Sequence, residues 1–326
     1  MRRARGDLSV MPKPVRTTIS LLASTPVPAV AQRTLEERLL ELRHAWRRVA
    51  HAGKHRPAAE DVHQLRIQMR RTEAALQLFA PVLWAEAAEP LARIVRKARR
   101  RAGEARDCDL LLALRERSGS PISGEIATLL QDRRRKVIAK LVKRYRQHIR
   151  AGELEVGLKR CLTLPPASID ADPAPPEAFG AWFLPHLSRS SREFLALAAP
   201  PVRSRAAVHP LRMAGKRVRY ALELGLPVTP RPVARGLHAL LVQLQRRTGK
   251  VCDGLAMARQ YRELAALASP GETRRYRAAI RASEARASRA YANFRAWWTA
   301  PRRRALREWL GPGNVSRHVR ADGPRS

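Results

Sequence analysis

The sequence predicts an all-α protein made of two pseudo-symmetric helical-bundle halves. Alanine, leucine and arginine dominate its 326 residues, aromatics make up 5%, and β-branched runs are almost absent, which is the composition of a helical chain. Apolar residues recur at spacings of three and four along most of the chain, the period of an amphipathic helix. One segment also occurs twice. Residues 62–83 read VHQLRIQMRRTEAALQLFAPVL and residues 208–229 read VHPLRMAGKRVRYALELGLPVT, with ten of 22 positions identical at an offset of 146. A second pair keeps that offset: RRAGEARD ends at Asp107 and RRTGKVCD at Asp253. Two matches in a single register point to an internal duplication.

In chain order, residues 1–30 read as a disordered basic arm. A first helix covers 31–52, with Leu35, Leu39, Leu42, Trp46 and Val49 on its apolar stripe, and the stretch HAGKHRP ends it. A second covers 58–80 and stops near Pro81. A third covers 86–102, where Gly103 suits a helix stop. Asp107 then reads as the cap of a short fourth helix, DLLLALRE. Pro121 and Gly124 precede a fifth helix, 125–151, which holds nine basic residues and one acidic residue between Gln131 and Arg150. Residues 152–176 end in SIDADPAPP and read as an extended linker. The second half repeats the plan over 177–199, 204–226, 231–249, 253–268 and 272–299. The helical domain thus runs 31–300, in halves 31–151 and 177–300. A short helix holding Trp309 and a basic tail fill 301–326. Gly103, Gly249, Asp107 and Asp253 are accounted for as stops and caps.

The formal net charge of +36 exceeds what solubility requires and implies a polyanionic partner. No run of 18 apolar residues exists, so no membrane span is expected. Cys108, Cys161 and Cys252 are too scattered for a disulfide framework or a metal knuckle. Walker A, paired-carboxylate and G-x-S-x-G patterns are absent. The expectation is a cytoplasmic binding protein with no cofactor, no metal and no catalytic residues.

The repeated helix shows where binding is expected. At about 100° per residue, Leu65, Met69, Thr72, Leu76 and Phe79 form the core stripe of the first copy. His63, Arg66 and Arg70 fall opposite, with Arg71 flanking. In the second copy Leu211, Gly215, Val218 and Leu222 form the stripe, and His209, Arg212, Lys216, Arg219 and Tyr220 share the other face. Solvated helix faces usually mix signs to gain pairs one turn apart, but Glu73 and Glu223 are the only acids in the two copies. A stack of like charges costs a few tenths of a kcal/mol per pair, which a ligand's counter-charge offsets. On the third helix Arg93, Arg96, Lys97 and Arg100 share the side opposite Leu91, Val95, Ala98 and Ala102. Gly215 and Gly225 are expected to loosen the second copy.

The chain resembles the CHAD family, the conserved histidine α-helical domain. The resemblance rests on VHQLRIQMRR at 62–71, VHPLRMAGKRVRYALEL at 208–224, and the GEARDCDLL and GKVCD segments, and covers about residues 31–300. It implies two similar helical halves enclosing a basic cavity, binding of inorganic polyphosphate, and association with polyphosphate granules. Position by position it implicates His63, Arg66, Arg70, Arg71, His209, Arg212, Lys216, Arg217 and Arg219, to which the third-helix reading adds Arg96 and Arg100. The E-x-E-x-K motif of the CYTH domain that accompanies many relatives is absent, the nearest string being ELEVG at 153–157. Sequence-blind nucleic-acid binding is the alternative, although the scarcity of aromatics on the basic helices disfavours single strands.

Overall fold

The computed structural model describes residues 22–52, 57–116, 120–163 and 177–311. Among them all named elements are helical, and one isolated antiparallel bridge joins Pro26 to Ala178. The N-terminal half comprises α1 (Val27–Ala50), α2 (Ala59–Leu78), a 3-10 turn (Ala80–Val82), α3 (Ala85–Arg115), α4 (Gly124–Arg144), a π-helical turn (Tyr145–Arg150) and α5 (Glu153–Leu162). The C-terminal half comprises α6 (Phe179–Ser190), α7 (Arg192–Ala198), α8 (Val208–Gly225), a 3-10 turn (Leu226–Val228), α9 (Arg231–Ala265), α10 (Pro270–Trp297) and α11 (Ala300–Leu310). The second 3-10 turn, α9 and α10 each begin 146 residues after their counterparts, so the element order repeats in the register of the sequence.

The anticipated apolar stripes form the core. Leu35, Leu42 and Trp46 of α1, Leu65 and Met69 of α2, and Leu211 and Leu222 of α8 are fully buried. Each such side chain contributes about 1.5–3 kcal/mol through lost water contact. The Trp46 indole donates to the Leu141 carbonyl at 3.1 Å, so even this deep polar group is satisfied. A single main core runs through both halves. Its bridge is aromatic, with Phe79 at the end of α2 standing 6.2 Å from Phe179 and 6.1 Å from Trp182 of α6. A smaller core joins the far ends of the long helices: Cys108 and Leu111 of α3 and Ile126 and Leu130 of α4 meet Tyr261 and Leu264 of α9 and Tyr276 of α10.

Several sequence expectations are corrected. The third and fourth helices are one helix, α3, of 31 residues, and their counterparts are one helix, α9, of 35. Gly103, Asp107, Gly249 and Asp253 therefore lie inside helices and are neither stops nor caps. A glycine stop requires the left-handed conformation, which among the described residues only Gly152 adopts. Both apolar stripes continue through the glycines, by way of Ala98, Ala102 and Ala105 in α3 and Leu244, Thr248 and Val251 in α9. Packing outweighs the roughly 1 kcal/mol that a mid-helix glycine costs.

Helix α1 begins at Val27, within the stretch assigned to the arm. Its start pairs with the start of α6, as Val27 N–H donates to Glu177 and Phe179 N–H to Thr25. Helix α5 occupies the first part of the expected linker; the SIDADPAPP string lies outside the described residues. Gly215 and Gly225 do not loosen α8. An added Cβ at Gly215 would stand 3.1 Å from the Phe194 ring, and one at Gly225 would collide with the Phe183 ring. These glycines let two phenylalanines press against the helix backbone.

Candidate functional site

Helices α2 and α8, the two copies of the repeated segment, pack directly against each other. Basic residues of the two helices come together at the junction, where Arg70 of α2 and Arg212 and Lys216 of α8 act on one another. A cavity of about 110 Å³ opens there, lined by Arg70, Glu73, Ala74 and Gln77 of α2, Arg99 of α3, and Met213, Lys216, Arg217 and Tyr220 of α8.

The electrostatics of this junction are those of an under-neutralised cation cluster. Burial first, and then the fields of Arg70, Arg99 and Arg106, lower the Arg66 guanidinium to about 10 against the opposing Asp107. Burial, Arg99 and Arg212 also lower Arg70, while the adjoining Tyr220 favours its charge. Lys216 is pushed down to about 7, first by burial and then by Arg70, Arg212 and Arg66, with Asp253 opposing. Two causes act together here, since desolvation and like charge both disfavour the charged form. The acids are few: Glu73, in the cavity wall, is engaged by Arg99 at 2.8 Å, and burial raises the Asp107 carboxyl despite Arg66.

The second repeated segment serves the first. Gly103 presents its bare backbone to Arg66, where an added Cβ would lie 3.8 Å from Nε. In the other half an added Cβ at Gly249 would stand 3.1 Å from both terminal nitrogens of Arg212. The Arg212 guanidinium donates to the Gln245 carbonyl one turn earlier on α9. One turn beyond each glycine, at the (i, i+4) spacing that shares a helix face, stand Asp107 and Asp253. Each half thus contributes a G-x-x-x-D step on a long helix to the arginine or lysine of the H-x-x-R helix facing it.

Of the residues singled out from sequence, the structure brings together Arg66, Arg70, Arg212 and Lys216. His63 adjoins them at the start of α2, half-buried, its Nδ1 enclosed without a protein hydrogen-bond partner. His209 is exposed. Arg71 is exposed, and Arg217, at the rim of the cavity, pairs with Glu193 at 2.6 Å. Arg219 is bound to Glu223 and stacks over Tyr220 at 4.6 Å. On α3 the expected face does not reach the junction: Arg96 pairs with Glu89 at 2.6 Å, and Arg100 is exposed. Arg99 and Arg106 take that place instead, flanking the buried stripe on the side toward α2. Mono-signed runs on the outer face drew the sequence reading away from them. The available signal was the unbroken stripe, which sets these two arginines at its edge.

Fold and site together define a helical protein in which two copies of one basic helix face each other across a cationic cleft. The chain belongs to the CHAD domain family, whose sequence profile matches residues 33–261. The fold is similar to that of the crystal structure of the CHAD domain from the plant Ricinus communis, at 20% identity and a TM-score of 0.58 over 92% of each chain. It is also similar to PptA from Streptomyces chartreusis, at 17% identity and a TM-score of 0.56, covering 84% of this chain and 99% of that one. No curated protein matches the sequence. Among the described residues no helix is long and apolar enough to cross a membrane.

Proposed function

We infer that this protein binds inorganic polyphosphate in the cleft between α2 and α8 and associates with polyphosphate granules. The observation that carries the reading is the set of half-buried cations — Arg66, Arg70, Arg99, Arg106, Arg212 and Lys216 — with too few acids to balance them. Burying like charges is unfavourable without a counter-charge, so the cleft is suited to a multivalent anion. Guanidinium forks match phosphate oxygens, and neighbouring guanidiniums match successive phosphates. The narrow cavity favours a thin, unbranched chain over a duplex, and its sparse aromatics favour a polymer without bases. The resemblance of the H-x-x-R segments to those of polyphosphate-binding CHAD proteins points the same way. The role is that of a binder: the cations hold an anion, and the reading requires no bond to be made or broken.

The test is a competition at physiological salt, with labelled polyphosphate displaced by unlabelled polyphosphate, duplex DNA, transfer RNA or heparin at matched charge. Long-chain polyphosphate is expected to compete best. Duplex DNA or transfer RNA competing more strongly would replace this reading with nucleic-acid binding.

A further inference from the structure

Lys216 differs from the other cations of the cleft in that it can lose its proton and become a nucleophile. It lines the cavity beside Arg70 and Arg99, with Met213, Arg217 and Tyr220 on its own helix and Glu73 across from it. Arg66, Arg212 and Asp253 also act on it, and the Cys252 thiol is coupled to it. With a volume of about 110 Å³, the cavity has room for several waters and hence for a phosphate group. A desolvated lysine next to other cations is the pattern of an activated amine nucleophile, and its ammonium is held down to about 7. The surrounding guanidiniums are placed to accept negative charge from a departing phosphate. Amine and leaving-group cradle thus occupy the same cavity.

We propose that Lys216 is an acyl-acceptor site for small acyl phosphates, whose phosphate the arginines of the cleft hold against the amine. The Nζ lone pair attacks the acyl carbon, forming the C–N bond. The C–O bond to phosphate then breaks, and the amine proton leaves with the phosphate as hydrogen phosphate. The products are an uncharged amide at Lys216 and inorganic phosphate, with no other reactant needed. Acylation removes a cation from the cleft and fills part of it, so it weakens polyanion binding. A bound polyanion conversely favours the ammonium and covers it, so it protects Lys216. The proposal rests on the reading of the cleft as a phosphate cradle, yet it applies to one phosphate and does not require a polymer.

The experiment incubates the full chain with acetyl phosphate at pH 7.5 and follows acetylation of each lysine by peptide mass spectrometry. Lys216 is expected to react at least tenfold faster than the exposed Lys97 and Lys140. Inorganic phosphate should slow Lys216 alone, and Arg70→Ala and Arg99→Ala should slow Lys216 while leaving Lys97 unchanged. The same measurement with an uncharged N-hydroxysuccinimide acetate should show a much smaller preference. Phosphate competition on the unaltered protein keeps the test valid should an arginine variant fold poorly. Reaction at Lys216 no faster than at Lys97, or an equal preference with the uncharged reagent, overturns the proposal. Polyphosphate titration of unmodified protein is read separately, so failure of polymer binding and failure of acyl transfer are distinguishable.

Discussion

At the scale of single residues, the cleft is governed by what surrounds each cation. Lys216 is the clearest case, because its titration falls near neutral pH. A bound polyanion favours the ammonium, so above pH 7 binding takes up a proton. Affinity should therefore fall as pH rises from about 7 toward the ordinary lysine range, by up to about tenfold per unit. Below about pH 6.5 the ammonium is already formed and this contribution levels off. Calorimetric titrations at pH 6, 7, 8 and 9 check the window, and Lys216→Arg should flatten it. Gly249 offers a second test. Alanine there should raise helix stability by up to about 1 kcal/mol, yet its Cβ would meet the Arg212 guanidinium. The expected variant melts no lower than the parent but binds polyphosphate several-fold more weakly. Unchanged affinity would show that Arg212 is free to move. The paired histidines, prominent in the sequence, separate in the structure into a half-buried His63 and an exposed His209. Identity at matched positions did not carry their unlike environments, since those depend on neighbours distant in the chain.

At the scale of elements, the stripes of α1, α2 and α8 were legible because a buried helix face writes itself into the sequence every three or four residues. The two long helices were misread as broken because glycine and aspartate resemble punctuation in isolation. Continuity of the stripe through Ala98, Ala102 and Ala105 was the stronger sign. The false break also left Arg106 outside the expected third helix, whereas Arg99 lay within it beside the mono-signed outer run. The two faces can be compared at equal charge change. Arg99→Glu with Arg106→Glu should reduce polyphosphate affinity at least tenfold more than Arg93→Glu with Arg100→Glu, measured by the same titration. Equal losses would mean that net charge alone governs binding. Helix α8 gives a packing test. Gly225→Ala drives a methyl group into the Phe183 ring and should cost about 1–3 kcal/mol of stability in denaturant unfolding. Phe183→Leu should recover part of that loss, as expected for residues in contact.

At the scale of the whole molecule, the described parts of the halves meet through the main core with the α2–α8 junction, at the paired starts of α1 and α6, and through the small core at the far ends of the long helices. Between the junction and the small core Asp107 of one half feels Arg259 of the other. The general plan of duplicated helices with a basic face was readable from the repeat, and the basic cavity was implied by the family resemblance. The contact through the small core was not, because Cys108, Leu111, Tyr261 and Tyr276 carry no periodic mark distinguishing an inter-half contact from an ordinary core. The number of cations around the junction sets the ionic response. Neutralising about six phosphates gives a log–log salt slope near −4, and a slope near zero would exclude the cleft as an electrostatic site. The unbroken α3 and α9 have a mechanical consequence. Each carries the cleft near its middle and the small core at its tip, and α9 is roughly 52 Å long at about 1.5 Å per residue. Two stiff rods that flank one load and share a core at their tips act as a pair of tongs. A small change in separation where the anion sits is carried to the tips, where Cys108 and Leu111 of α3 share the small core with Tyr261 of α9. Occupancy of the cleft should therefore be readable far from it, as a change in hydrogen exchange over 261–276.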